Sequence, residues 1–309
     1  MRRRALDFLR CPLCGGRLEL SVWAEENDYI EKGSLGCSGC GHVYPVADGT
    51  ARMLPAADLS EWPKNPPAET PWRPWPEDEK LLCEETLLDY QLWRGKTALE
   101  ACCARGRRSL AALSLGAEVV ALGCDERLRL LAPQARENPR LHLVEADPAK
   151  PPFAEKIFDV VFSRRALDRR DGTEVFRALS KTVRRYGRTA LAFRPKPEAA
   201  KPPLSGAAFF WARANCALCG DLTARIPPER LRRVFAGLEA AWNAVSGQKG
   251  FAAHPQFRVR FEESLDEISG PAPVWRKRSE VERLFKEAGF FVEKIRTDGF
   301  STAALARKL

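Results

Sequence analysis

Four cysteines in two close pairs are the first residues of this 309-residue chain whose spacing can do chemistry. Residues 10–15 read Arg-Cys-Pro-Leu-Cys-Gly and residues 37–42 read Cys-Ser-Gly-Cys-Gly-His, with twenty-two residues between the pairs. A two-residue gap lets two thiolates face one ion, and the glycine that follows accepts the tight turn that aims backbone N–H groups at sulfur. Four thiolates at ~2.3 Å suit a tetrahedral, closed, structural Zn2+ site, with Cys11, Cys14, Cys37 and Cys40 as ligands. His42 is an alternative donor, but the set is complete without it, and a solvent-facing turn residue is the simpler reading. A disulfide framework is the weaker rival, because the basic start Met1-Arg2-Arg3-Arg4 is followed by a stretch broken by Asp7 and Arg10 and does not read as a secretory signal.

A second group of candidate residues needs a scaffold to bring it together. Leu99-Glu100-Ala101-Cys102-Cys103-Ala104-Arg105-Gly106, Gly123-Cys124-Asp125 and Glu145-Ala146-Asp147 each end a short apolar run. The runs Thr97–Cys102, Glu118–Cys124, Leu141–Ala146, Phe158–Ser163 and Arg188–Arg194 read as strands. Helical patterns over Arg107–Leu115, Glu126–Arg136 and Thr173–Arg185 lie between them. Strands spaced by helices imply parallel βαβ units with helices on both faces. A lead-in helix is expected over Glu79–Trp93. Ser279–Ala288 reads as a helix capped by Ser279 with Glu282 three residues on and stopped by Gly289, and Phe291–Thr297 with Ser301–Arg307 reads as a closing pair of strands. In such a sheet ligands bind at the carboxyl ends of the strands. Asp125, nineteen residues after Gly106, suits a carboxylate that accepts from two ribose hydroxyls. Asp147 suits an adenine amino group, and Phe153, after Pro151-Pro152, suits a cover for the ring. Ordinary solvated loop carboxylates remain the alternative for both acids.

At these residues the chain resembles the class I S-adenosylmethionine-dependent methyltransferases of the type 11 kind, over about residues 95–195 and 279–309. The resemblance implies an α/β fold with a doubly wound, mostly parallel, seven-stranded Rossmann-like sheet. It implies S-adenosylmethionine as cofactor, with Glu100 as the acid of the first motif and Gly106 as its closing glycine. Asp125 and Asp147 then end strands two and three, and Asp159 lies in the Phe-Asp-Val-Val run of strand four. Two family glycines are replaced by Cys102 and Ala104, which narrows the cofactor turn; if both sit at negative φ, only their side-chain volume matters. Arg105, Arg107 or Arg108 could pair with the cofactor carboxylate, or simply open a helix in solvent. The family's Asn/Asp-Pro-Pro-Tyr tetrapeptide is absent, the position reading Ser163-Arg164-Arg165-Ala166, and no catalytic residue is legible. Cys103 and Cys124 read as packing residues.

The N-terminal pattern, about residues 7–56, resembles the small zinc-binding activator protein that partners several tRNA and protein methyltransferases. The likeness rests on the cysteine pairs, the His42–Val46 strand containing Tyr44-Pro45-Val46, and Met53-Leu54-Pro55. It implies a folding and binding partner, here packed on a methyltransferase domain of the same chain. The expected organisation is a zinc domain at 1–56, a linker at 57–78 and a methyltransferase-like domain at 79–309 with an insertion at 195–278. The joint at residues 55–77 holds seven prolines and three tryptophans and reads as semi-rigid and extended. The insertion holds Phe209-Phe210-Trp211, the pair Cys216/Cys219, an amphipathic stripe from Leu231 to Val245, and His254.

Composition narrows the class of function. Hydrophobic residues are 45% and charged residues 29%, a globular balance, and no run approaches the ~18 apolar residues of a membrane span. A cytoplasmic location is expected. Net charge is +9, yet residues 1–60 carry seven basic and eight acidic residues, whereas residues 160–200 carry eleven basic against four acidic. Under the methyltransferase resemblance, the methyl acceptor is expected to be a small molecule, or RNA if the arginines of 164–194 form one surface. Two other classes stay open: a catalytically silent scaffold, and a zinc-containing nucleic-acid-binding protein.

Overall fold

The computed structural model describes residues 1–54, 76–124, 126–195, 274–297 and 301–309. Met1–Lys196 and Trp275–Leu309 belong to one compact unit. The insertion's aromatic triplet, Cys216, Cys219, its amphipathic stripe and His254 lie outside the described residues, as does most of the proline-rich joint.

The chain opens with a single helical turn, α1 (Ala5–Phe8), and four antiparallel strands: β1 (Leu18–Glu26), β2 (Tyr29–Cys37), β3 (Val43–Ala47) and β4 (Thr50–Arg52). Asn27 and Asp28 take φ of 50° and 60°, and Asp48 and Gly49 take 49° and 71°. Each hairpin thus turns on two left-handed residues, the geometry that matches strand twist. Ile30, Leu35, Tyr44, Val46 and Ala51 are buried on the inner side, while β1 is mostly exposed.

Helix α2 (Pro76–Thr86) leads into the larger part of the unit. It starts within the proline-rich stretch, consistent with the tolerance of proline in a first helical turn. The strands β5 (Thr97–Ala101), β6 (Glu118–Gly123), β7 (Leu141–Glu145), β8 (Phe158–Ser163) and β9 (Val183–Phe193) alternate with α3 (Arg107–Ser114), α4 (Ala132–Glu137) and α5 (Gly172–Thr182). Helix α6 (Arg278–Glu287) and the hairpin β10 (Phe290–Thr297) and β11 (Thr302–Lys308) close the unit. The strand order is β1-β2-β3-β4-β7-β6-β5-β8-β9-β11-β10, one sheet of eleven strands among the described residues. Strands β5 to β9 run parallel and β11 runs antiparallel to β9. Two hydrophobic cores form, holding Val175, Phe176, Val281 and Phe285 in one and Trp93, Leu110, Ala112 and Phe162 in the other. Phe176 meets Phe285 edge-on at 5.2 Å, and Trp93 meets Phe162 edge-on at 5.2 Å.

Sequence periodicity and structure differ at several boundaries. The sheet continues past seven strands, because β4 runs parallel to β7 with Thr50 opposite Leu143 and Arg52 opposite Glu145. Strand β9 begins at Val183 rather than Arg188, since Val183 pairs with Phe158 before the strand bulges outward. The Glu126–Arg136 helix divides into a 3-10 turn over Glu126–Leu131 and α4. Ser279 does not cap α6: the helix starts at Arg278 after Lys277, with no side-chain cap. Instead Arg276 pairs with Glu280 at 2.6 Å across that start. Gly289 does end the helix, at φ 74°.

At the β4–β7 pairing, Arg52 Nε lies 2.9 Å from Glu145 Oε2, with 5% and 7% of the two side chains exposed. Beside it, the Arg10 N–H donates to the Pro152 carbonyl at 2.8 Å and the Ala154 N–H to the Phe8 carbonyl at 2.9 Å. Phe8 stacks on Phe158 at 5.7 Å. Arg4 and His142 both reach Glu118, at 3.0 and 3.1 Å. Burial works against the Glu118 carboxylate, yet these two donors outweigh it and bring its pKa down to about 2.

Truncating one side of this buried ion pair removes a charge-assisted hydrogen bond while the other charge stays buried. Arg52→Met is therefore expected to destabilise the chain by about 3–5 kcal/mol in urea denaturation. The double variant Arg52→Met/Glu145→Leu should recover most of that loss; equal losses in the single and double variants would show that the pair does not hold this seam.

Candidate functional site

The two cysteine loops are built alike. Cys11 N–H donates to the Gly16 carbonyl at 2.9 Å and Gly15 N–H to the Cys11 carbonyl at 2.8 Å; in the second loop Cys37 N–H donates to His42 at 2.8 Å and Gly41 N–H to Cys37 at 2.9 Å. Gly15 and Gly41 take φ of 72° and 71°, the left-handed turn expected after each pair. The four sulfurs lie within 4.8 Å of one another, Cys14 to Cys37 at 3.4 Å and Cys11 to Cys40 at 3.7 Å. A tetrahedron with ~2.3 Å metal–sulfur bonds has edges of ~3.8 Å, so this donor set fits Zn2+. Burial raises the Cys11 thiol, but the Tyr44 hydroxyl, 3.2 Å away, and the backbone of Cys14 and Leu13 outweigh it and bring it to about 6. His42 is not part of the cluster; its ring sits 4.6 Å from Tyr44 and is half-buried rather than solvent-facing.

The second candidate group lies where the strand order reverses. β6 and β8 flank β5 on opposite sides, so the loops leaving β5 and β8 diverge around a crevice at their carboxyl ends. Cys102, Ala104 and Gly106 take φ of 58°, 50° and 68°. The two replaced glycines thus retain the backbone glycine would have, at about 1–2 kcal/mol for each non-glycine residue. Gly106 is required by packing as well: a Cβ there would lie 2.0 Å from Leu131 Cδ1. Burial pushes the Cys102 thiol up to about 12.

Glu100 does not face the crevice. It is 3% exposed and accepts a 2.5 Å hydrogen bond from the Ser109 hydroxyl in the first turns of α3, so it ties together the two ends of the turn. Asp147 is half-buried, and its Oδ1 accepts from the Ala149 N–H at 2.9 Å. Phe153 is packed in the core, 7% exposed and edge-on to Phe158 at 5.3 Å. Asp125 lies outside the described residues. Cys103 is buried, but Cys124 is exposed, with Arg169 3.9 Å from its sulfur, and so is not a packing residue.

Ser163 carries a role that its residue type alone did not reveal. Its hydroxyl donates to the Ala101 carbonyl at 2.6 Å and accepts from Ala166 N–H at 3.0 Å, stapling the ends of β5 and β8. The arginines after Gly106 are committed to α2: Arg107 to Asp78, with Nε at 2.7 Å, and Arg108 to Glu85, with Nη2 at 2.9 Å. Those of 164–194 do not form one surface. Arg164, Arg169 and Arg194 lie at the carboxyl ends of the strands, near Glu85, Asp171 and Asp168. Arg184 and Arg188 lie at the amino ends, paired with Asp159 and Glu293.

Comparison with known proteins matches two segments of the chain. A family described as Trm112p-like protein matches residues 2–49, and one described as Methyltransferase domain matches residues 99–191. Residues 99–191 thus match a methyltransferase domain, and residues 2–49 a Trm112p-like segment. Over 54 residues, 18% of this chain and 75% of the relative, it is 43% identical to a UPF0434 protein of Pseudomonas syringae pv. tomato. Among solved structures it is similar to magnesium protoporphyrin IX methyltransferase from Synechocystis PCC 6803, with 13% identity, a TM-score of 0.43, and 75% of this chain and 82% of that chain covered. A SAM dependent methyltransferase from Aquifex aeolicus gives 12% identity and a TM-score of 0.44, covering 75% and 90%. Among the described residues no helix is long and apolar enough to cross a membrane.

Burial of Glu100 lifts its pKa from 4.5 to about 7, against the lowering influence of Ser109 and Arg108. Between those values the folded protein binds more protons than the unfolded chain, so its stability falls as pH rises. The contribution of protonated Glu100 is complete below pH 4.5 and is lost as pH passes about 7. Relative to Glu100→Gln, the native chain should lose on the order of 2–4 kcal/mol across that window. Denaturation of both proteins at a series of pH values checks this, and parallel profiles would refute it.

Proposed function

We propose that this protein transfers the methyl group of S-adenosylmethionine to a small-molecule acceptor, with the zinc module as a built-in folding partner rather than a catalytic part. The observation that supports this most directly is the turn after β5, whose backbone stays left-handed at Cys102, Ala104 and Gly106 although only one is glycine. Left-handed backbone is the conformation that lets a ligand approach the chain closely, and here it is kept at a cost of about 1–2 kcal/mol at each non-glycine residue. The bound cofactor would supply a methyl group activated on a sulfonium. Cys102, Ala104 and Gly106 would then present the turn, with Glu100 and Ser109 fixing its shape from beneath. Asp125 and Asp147 are the proposed carboxylates for the ribose and the adenine. An acceptor that is already nucleophilic needs alignment more than a base, which agrees with the lack of a legible acid–base pair.

The division of Arg164–Arg194 between two ends of the sheet weighs against an RNA acceptor and against a purely nucleic-acid-binding role. The scaffold reading is favoured by one observation, the two side chains added to the turn. Calorimetry separates it from the enzyme. The native chain should bind S-adenosylhomocysteine, and Cys102→Gly/Ala104→Gly should bind it about fivefold tighter or more as crowding of roughly 1 kcal/mol is relieved. Absence of heat for both proteins at millimolar ligand would leave the scaffold.

We further propose that Cys11, Cys14, Cys37 and Cys40 hold one structural Zn2+ per chain. Elemental analysis of purified protein should find it, and Cys40→Ser should lose it together with the chemical-shift dispersion of β1–β4. A folded N-terminal module free of metal would end this assignment.

A further inference from the structure

The edge of the sheet opposite the crevice carries a feature that neither the zinc module nor methyl transfer uses. At the amino ends of β5, β8 and β9 lies a cavity of about 200 Å3. Its apolar floor is Leu88 and Val160, 1% and 3% exposed, with Leu92 beside them. Its wall is an excursion of β9. Val183 pairs with Phe158 and Arg188 with Val160, so four residues of β9 face the single residue Asp159.

Two residues of that excursion obey different rules. Gly187 is demanded by packing, since a Cβ there would lie 2.9 Å from the carbonyl oxygens of Arg184 and Asp159. Tyr186 is not: it takes φ of 63°, where glycine would be unstrained, and leaves 60% of its surface in solvent. A left-handed tyrosine costs about 1–2 kcal/mol, and an exposed ring recovers little of that by burial. Strain held where packing does not require it points to a ligand.

The charges around the cavity point to the same ligand. Arg184 is committed to Asp159 at 3.0 Å and Arg188 to Glu293 at 2.9 Å. Lys96 and Arg185, on the rim, have no carboxylate partner among the described residues, and the Arg185 guanidinium sits 4.8 Å from the Tyr186 ring centre. We propose that this cavity binds a phosphomonoester carried on a small planar ring. Lys96 and Arg185 take the doubly charged phosphate, and Tyr186 stacks on the ring over the Leu88–Val160 floor. The cavity is below the ~300 Å3 of sites for drug-sized ligands, which fits a compact group.

The test uses the full chain without cofactor, so its outcome is independent of methyl transfer. Phenyl phosphate and inorganic phosphate are titrated by calorimetry, with amide chemical shifts recorded in parallel. Phenyl phosphate is expected to bind at least about tenfold more tightly, a difference of ~1.4 kcal/mol, and to shift Leu88, Lys96 and Tyr186–Arg188. Arg185→Ala and Lys96→Ala should each weaken it about fivefold. Tyr186→Gly should erase the preference for the aryl ester while raising Tm by about 2 °C, an opposition that a purely structural tyrosine would not produce. Equal affinity for the two probes, indifference to the Arg185 and Lys96 variants, or absence of binding at about 20 mM would overturn the proposal. So would tighter, variant-sensitive binding of a mixed-sequence oligonucleotide, which would make the surface a nucleic-acid track.

Discussion

The described unit depends on a short parallel pairing, Thr50–Arg52 along Leu143–Glu145. Without β4, the buried strand β7 would be the edge of a parallel sheet, with a row of backbone groups unpaired. With it, the backbone ladder continues to Met53, whose N–H donates to the Glu145 carbonyl at 2.6 Å. The same three residues place Arg52 against Glu145 as a buried ion pair at 2.9 Å. The cysteine loops serve this seam from a distance. They fix the ends of β2 and the approach to β3, and the left-handed Asp48-Gly49 turn then sets β4 beside β7. The apolar side of the contact is aromatic: Phe8 lies on Phe158, and Phe153 stands edge-on to the same ring.

That seam also gives Phe153 a packing role that its sequence context does not reveal. A phenylalanine after Pro-Pro at the end of a strand is equally suited to cover a ligand or to enter a core, and the choice is made by Leu9, whose backbone bridges to it from 144 residues away. Local pattern was enough for the cysteine turns, because Cys-x2-Cys-Gly encodes its own geometry. It was enough for β5 to β8, because buried parallel strands read as short apolar runs. It was not enough for β4, a Thr-Ala-Arg tripeptide whose strand character comes wholly from its neighbours. The polar β1 and the second half of β2 give little strand signal for a related reason: their alternation is interrupted by a bulge at Val22–Ala24 and by Gly33.

The candidate cofactor turn was legible as a position and not as a mechanism. Its residues could be named from Glu100 to Gly106, but the sign of φ at Cys102 and Ala104 is a tertiary outcome. Three contacts hold the turn in that state. Ser109 reaches back to Glu100, Ser163 ties Ala101 to the end of β8, and Leu131 fills the space beside Gly106 that a side chain would need. Small polar residues such as Ser109 and Ser163 give little signal in sequence, since nothing in their type distinguishes a staple from a surface hydroxyl.

These contacts also settle how the turn can tolerate its missing glycines. Left-handed backbone at Cys102 and Ala104 costs about 1–2 kcal/mol each, similar to the net worth of one or two hydrogen bonds involving a charged group. The Glu100–Ser109 bond is of that kind only when the carboxyl is ionised, and burial holds its pKa near 7. The support of the turn is therefore divided between a titrating group and two that do not titrate, Ser163 and the Leu131 packing. Because the latter persist at every pH, the left-handed backbone is set chiefly by the closure of β5 against β8, and Glu100 adjusts how firmly α3 is drawn against it.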